Sequence, residues 1–213
     1  MDFPGVFSRG FSRILERPPS QPELGAFSRY LALLLQWNRA HHLTGYKSPA
    51  EIVEKLFLDS LFFLRWVPPD SAAVLDLGSG TGIPGLPMKI VEPGISLTLV
   101  EARRRRVSFL TTVVRELGLA GVVILSGRAE TMIDSTPGLR AAFDVVVTRA
   151  VGPLGAIYPL AMAFLRPGGR FIASGPPAGK APSPLPRGTP HRWESIPAMA
   201  RTGSRRFLIV EKS

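Results

Sequence analysis

Residues 74–87 read VLDLGSGTGIPGLP, a β-branched and leucine run that ends in a carboxylate and breaks into glycines at 78, 80, 82 and 85. So many glycines in so short a loop let backbone approach a ligand closely and turn where other residues would be strained. The stretch from Ile83 onward, IPGLPMKIVE, suits a helix. A strand, a glycine loop and a helix in that order open a parallel α/β sheet, with the ligand at the carboxyl ends of the strands.

The rest of the chain keeps that rhythm. AAVLDL, SLTLVEA, GVVILS, FDVVVTRA and GRFIASG read as strands, with RRRRVSFLTTVVRELG and LGAIYPLAMAFL as helices between them. Short connections and strand–helix alternation predict a doubly wound parallel sheet, with RPGGR as the turn into its fifth strand. Residues 176–190, rich in proline, read as an extended loop, and RRFLIVEKS closes the chain as a strand. The first 65 or so residues differ. SQPE and SPAE each offer a serine N-cap with glutamate three residues on, namely Ser20 with Glu23 and Ser48 with Glu51, and apolar residues recur behind them at helical spacing. This predicts a helical subdomain over residues 1–67 and an α/β domain over residues 68–213.

Composition narrows the chemistry. There is no cysteine, which excludes disulfides, Cys-ligated metal sites and thiol nucleophiles, and the 3 histidines give little basis for a metal site. No apolar run is long enough to cross a bilayer, and the amino terminus lacks the pattern of a secretory signal, so a soluble cytoplasmic protein is expected. A formal net charge of +10 favours a polyanionic partner, nucleic acid first.

The glycine loop lacks the Gly-Lys-Ser/Thr of a phosphate-cradling P-loop. Gly80, Gly82 and Gly85 fit G-x-G-x-x-G, which suits a nicotinamide, a flavin or S-adenosylmethionine. Asp76, at the end of the strand, separates these options. A carboxylate facing the crevice would repel a pyrophosphate and tolerate a cationic methionine group; its alternative role is to cap a helix or turn. Glu101 ends the next strand, where a carboxylate can accept both hydroxyls of a ribose. GRAE (residues 127–130) follows the third strand, with Glu130 at the level where acids meet an adenine amino group, or else simply leads into a short helix. Together these loops predict S-adenosylmethionine as cofactor.

The motifs also resemble a known family. LQWNRAHHLTG, FLDSLFF, LDLGSGTGIPGLP, RRVSFL, SGRAE, VVTRAV and RRFLIVEK occur in the order seen in the 16S ribosomal RNA guanine-N7 methyltransferases of the RsmG family, also called glucose-inhibited division protein B. The resemblance implies a class I methyltransferase fold, a Rossmann-like sheet with an antiparallel last strand. It also implies 16S ribosomal RNA or the 30S subunit as substrate, and cofactor contacts at Gly78, Ile83, Ala129, Glu130 and Arg149; a monomer is the default expectation. Guanine N7 carries a lone pair and no proton, so its methylation needs positioning and a dry pocket more than a general base.

On the acceptor side alternatives stay open. Arg149 could contact the cofactor, the guanine or only a salt-bridge partner. Arg103, Arg104, Arg105 and Arg106 open a helix, where four cations oppose the helix dipole, and so point to RNA phosphate or to a solvated face. The family pattern is broken at His42, Leu56 and Ser174, where asparagine, histidine and lysine are usual, and Lys180 could restore a cation. These departures leave a second expectation: an S-adenosylmethionine-binding, RNA-associated protein with lost or altered acceptor activity.

Overall fold

A computed structural model describes residues 3–68, 72–149, 152–175, 184–197 and 204–213. Among these, seven strands form one sheet: β1 (Ala73–Leu77), β2 (Ser96–Glu101), β3 (Val122–Ser126), β4 (Phe143–Thr148), β5 (Leu165–Ser174), β6 (Arg192–Pro197) and β7 (Ser204–Glu211). Their order is β3-β2-β1-β4-β5-β7-β6. The first five run parallel, and β7 enters antiparallel between β5 and β6. The strand order reverses between β1 and β4, so the loops after these strands part and leave a crevice.

Side chains alternate along each strand, which divides the core into two layers. Val74, Leu97, Leu99, Val145, Val147, Ile172, Phe207 and Ile209 face one side of the sheet. There they pack with the amino-terminal helices α1 (Phe3–Leu15) and α2 (Gln21–His41), and with α6 (Arg104–Glu116), whose Phe109, Leu110 and Val113 are buried. Leu75, Leu77, Val100, Val146, Phe171, Leu208 and Val210 face the other side, against α7 (Ala129–Ser135) and α8 (Leu154–Phe164). One continuous apolar cluster therefore joins the amino-terminal helices to the sheet.

Both capping serines start helices. Ser20 Oγ accepts from the Glu23 N–H at 3.3 Å, and the Glu23 carboxylate accepts from the Ser20 N–H at 2.6 Å, a reciprocal box. Ser48 Oγ accepts from the Glu51 N–H at 3.2 Å, but here the glutamate takes the serine hydroxyl at 3.0 Å. His42, with φ of +48°, ends α2 in a left-handed cap. Residues 49–66 form one helical run of changing pitch: α3 (Pro49–Ile52), a π-helical turn (Val53–Leu58), α4 (Asp59–Leu61) and a 3-10 turn (Phe62–Trp66).

RPGGR is not the turn expected. Helix α8 runs directly into β5, Leu165 already pairs with Phe143, and the register then breaks before Arg170 pairs with Val145. Arg166 to Gly169 are a bulge within the strand, held by Gly168 N–H to the Lys212 carbonyl at 2.8 Å. Among the described residues no helix is long and apolar enough to cross a membrane.

Candidate functional site

The glycine loop is fastened to the next strand. The N–H groups of Gly78 and Ser79 both donate to the Val100 carbonyl, at 2.9 and 3.0 Å. Glu101 Oε2 accepts from the Gly80 N–H at 2.9 Å, and Oε1 accepts from the Arg103 N–H at 2.8 Å. One carboxylate thus sets the loop after β1 and the start of α6, and each oxygen keeps further acceptor capacity. From the opposite side the buried Tyr30 hydroxyl of α2 donates to the Thr81 carbonyl.

Around these groups lies a cavity of about 500 Å³. Gly78, Gly80 and Ile83 line it from the loop after β1, Glu101 from the end of β2, Ala129 and Glu130 from the first turn of α7, and Arg149 from the end of β4. Leu43, Thr44, Tyr46 and Leu56 close it from the amino-terminal part of the chain. The expected residues of three successive strand ends, with Arg149, therefore share one cavity of a size that suits a nucleoside-containing ligand.

Two expected contacts lie elsewhere. Asp76 does not face the crevice: it is completely buried and belongs to the layer beneath the loop. Its Oδ2 accepts from the Gly85 N–H at 2.9 Å, which fixes the first turn of α5 (Gly85–Val91). Burial pushes its carboxyl up to about 7; the Gly85 hydrogen bond works against that shift and the nearby Glu101 adds to it. Asp76 is thus the helix cap weighed as its alternative. Gly82 is likewise turned from the cavity. With φ of +85°, a Cβ there would stand 2.4 Å from Leu86 Cδ1 and 2.8 Å from the Tyr30 hydroxyl, so this glycine serves close packing. Gly85 does the same against Asp76, where a Cβ would stand 2.8 Å from Oδ2.

The four arginines divide. Arg106 is half-buried, lies over Gly80 and pairs with Glu101 at 3.7 Å, so it belongs to the cavity wall. Arg103, exposed, borders the same cavity, while Arg104 and Arg105 face solvent. Lys180 lies outside the described residues.

Arg149 is both a cavity residue and an ion-pair partner. Its Nη2 lies 3.2 Å from Asp59 Oδ2 and donates to the Lys55 carbonyl at 2.5 Å. Arg205 of β7 reaches the same carboxylate oxygen at 2.9 Å and donates to Ser174 Oγ at 2.8 Å. Burial raises the Asp59 carboxyl above its ordinary value against the pull of both arginines, and burial lowers Arg149. Asp59 and Arg205, which hold Arg149 in this cluster, were not among the expected residues. Asp59 stood in the sequence only as part of FLDSLFF, and Arg205 as one of two basic residues opening the last strand.

The family model for GidB, described as rRNA small subunit methyltransferase G, matches residues 23–175. The chain belongs to the GidB family. Among GidB relatives, the ribosomal RNA small subunit methyltransferase G of Caldanaerobacter subterraneus is 40% identical over 148 residues, 69% of this chain and 62% of the relative. Its namesake in Streptococcus thermophilus is 38% identical over 156 residues, 72% of this chain and 65% of the relative. In both, the match spans less than two thirds of the relative's own length. A solved SAM-dependent methyltransferase from Aquifex aeolicus shares the fold at a TM-score of 0.55, with 15% identity over 78% of this chain and 94% of that one. The GidB chain thus has the class I methyltransferase fold, with the antiparallel β7 that the resemblance implied.

Proposed function

We propose that this chain transfers a methyl group from S-adenosylmethionine to N7 of a guanine in 16S ribosomal RNA of the small subunit. The observation that carries this reading is the position of Glu101, which faces the cavity with a free acceptor site on each oxygen while its other bonds hold the glycine loop. A cis-diol needs such an acceptor pair, so the residues present fit the nucleoside of the cofactor. Gly78 and Gly80 offer backbone that approaches closely, Ala129 and Glu130 an N–H and a carboxylate for an adenine edge, and Ile83 an apolar wall. Asp76, sealed beneath the loop, supports the site from below.

When bound, S-adenosylmethionine supplies an electrophilic methyl group on a sulfonium. Guanine N7 offers its lone pair without giving up a proton, so the chain has no base to provide. Its residues position the two reactants and keep water out, and that accounts for the barrier reduction asked of them. Leu43, Tyr46 and Leu56 supply the water-excluding wall. In this reading residues 1–67 form the acceptor side and residues 68–213 carry the cofactor, and the protein works as a cytoplasmic monomer. The net charge of +10 suits an RNA substrate.

The test is transfer of label from S-adenosylmethionine to 30S subunits lacking 7-methylguanosine, with the product mapped by mass spectrometry. Label on one guanine as 7-methylguanosine is expected. Cofactor binding by calorimetry without transfer would instead favour the RNA-associated protein with altered activity.

A further inference from the structure

Asp59, Arg149 and Arg205 come from α4, the end of β4 and the start of β7, and meet at one carboxylate oxygen. Among the described residues neither guanidinium has another acidic partner. Two donors are left over: Arg149 Nη1 and Arg205 Nε are shielded from water and have no hydrogen-bond partner among the described residues. A one-to-one ion pair satisfies itself, whereas two guanidiniums on one carboxylate leave a surplus positive charge and unused N–H groups in a poorly hydrated place. Such a site is completed by one anion that accepts hydrogen bonds in several directions, and guanidiniums match phosphate oxygens in this way.

The cluster also borders the cavity. Arg149 lines the cavity, and Arg205, joined to it through Asp59, stands outside that lining. Both side chains keep some exposure, 13% and 24%. The base itself is a poorer partner for this surplus charge, because a guanine becomes cationic as N7 is methylated.

We propose that the Arg149–Asp59–Arg205 cluster is the receptor for one backbone phosphate of the RNA, next to the nucleotide whose base enters the cavity. This rests on the RNA-methyltransferase reading, and it makes Arg205 a substrate-binding residue that lies beyond the family-matched segment, residues 23–175.

The test measures binding, not turnover. Affinity for 16S ribosomal RNA is followed across a salt series for the wild type, Arg205→Gln and Arg205→Lys. Arg205→Gln is expected to weaken binding about tenfold near 0.1 M salt and to reduce the slope of log K against log salt by about one. Arg205→Lys should keep the slope, and S-adenosylmethionine affinity should stay within about twofold in both, since Arg205 does not line the cavity. An unchanged slope in Arg205→Gln overturns the proposal, as does a loss confined to cofactor affinity. If Arg205→Gln does not fold, the wild-type protein decides: its Arg205 Nε–H resonance should shift when RNA is added, and a stationary resonance refutes the site. A slope change without any methylation leaves the phosphate site standing and removes the assigned reaction. Methylation with no slope change does the reverse.

Discussion

Replacing Asp76 by asparagine tests whether this acid is a buried support and not a ligand contact. Its Oδ2 accepts from the Gly85 N–H at 2.9 Å, Oδ1 has no partner among the described residues, and its carboxyl is pushed up to about 7, chiefly by burial. In the unfolded chain an aspartate titrates at about 3.9. Between about pH 4 and pH 7 the folded protein therefore holds a proton that the unfolded chain has released. Stability from this group is fully present below about pH 4, falls by about 1.4 kcal/mol for each pH unit above it, and levels off past pH 7. The whole loss is about 4 kcal/mol. Asparagine cannot ionise, keeps an acceptor for the Gly85 N–H, and puts an amide N–H₂ where Oδ1 was unpartnered. That last change costs a constant amount, on the order of 1–3 kcal/mol, which cancels when the two proteins are compared across pH. Urea unfolding followed by tryptophan fluorescence from pH 5 to pH 8.5 gives both curves. The difference between wild type and Asp76→Asn should shift by about 3 kcal/mol in favour of the variant from pH 5 to pH 8, then stay flat. Parallel curves would refute the assignment of Asp76 as a buried, protonatable support.

Other substitutions separate the roles of the loop. Gly82→Ala forces a Cβ to 2.4 Å from Leu86 Cδ1 at φ of +85°, so urea unfolding should show a loss of about 2–5 kcal/mol. Gly80→Ala, at φ of +58° with its nearest atom at 3.6 Å, should lose only about 1–2 kcal/mol in the same measurement. Glu101→Gln should weaken S-adenosylmethionine binding by about 10- to 100-fold in calorimetry, because a charge-assisted acceptor is lost where a diol is expected to sit. Tyr30→Phe leaves the Thr81 carbonyl without its buried donor and should cost about 1–3 kcal/mol, read from the same unfolding curves.

Local patterns carried most of the fold. Short β-branched runs placed β1 to β5, and the serine caps placed the starts of α2 and α3, because in each case a few neighbouring residues decide the backbone. RPGGR misled because its turn residues serve a bulge as well as they serve a connection, and only the pairing of Leu165 with Phe143 distinguishes the two. The ion-pair cluster around Asp59 was illegible for a different reason. Asp59 follows a π-helical turn, so a helical period carried through residues 49–66 loses its phase before reaching it, and its partners Arg149 and Arg205 come from distant strands.

The two acids of the first loops show what a pattern at the residue level still lacks. Asp76 and Glu101 belong to the same face of the sheet, since Asp76 pairs in register with Leu99 and Glu101 follows two residues later on β2. Parity therefore cannot distinguish them; height can. At about 3.3 Å per strand residue, Glu101 stands roughly 7 Å farther along the sheet than Asp76. That step carries one carboxylate past the end of β1 and into the cavity, and leaves the other beneath the glycine loop, sealed by Gly85. Strand length after the glycine loop thus decides which acid reaches the cavity, and moving Glu101 back by one pair of β2 residues would bury it as Asp76 is buried.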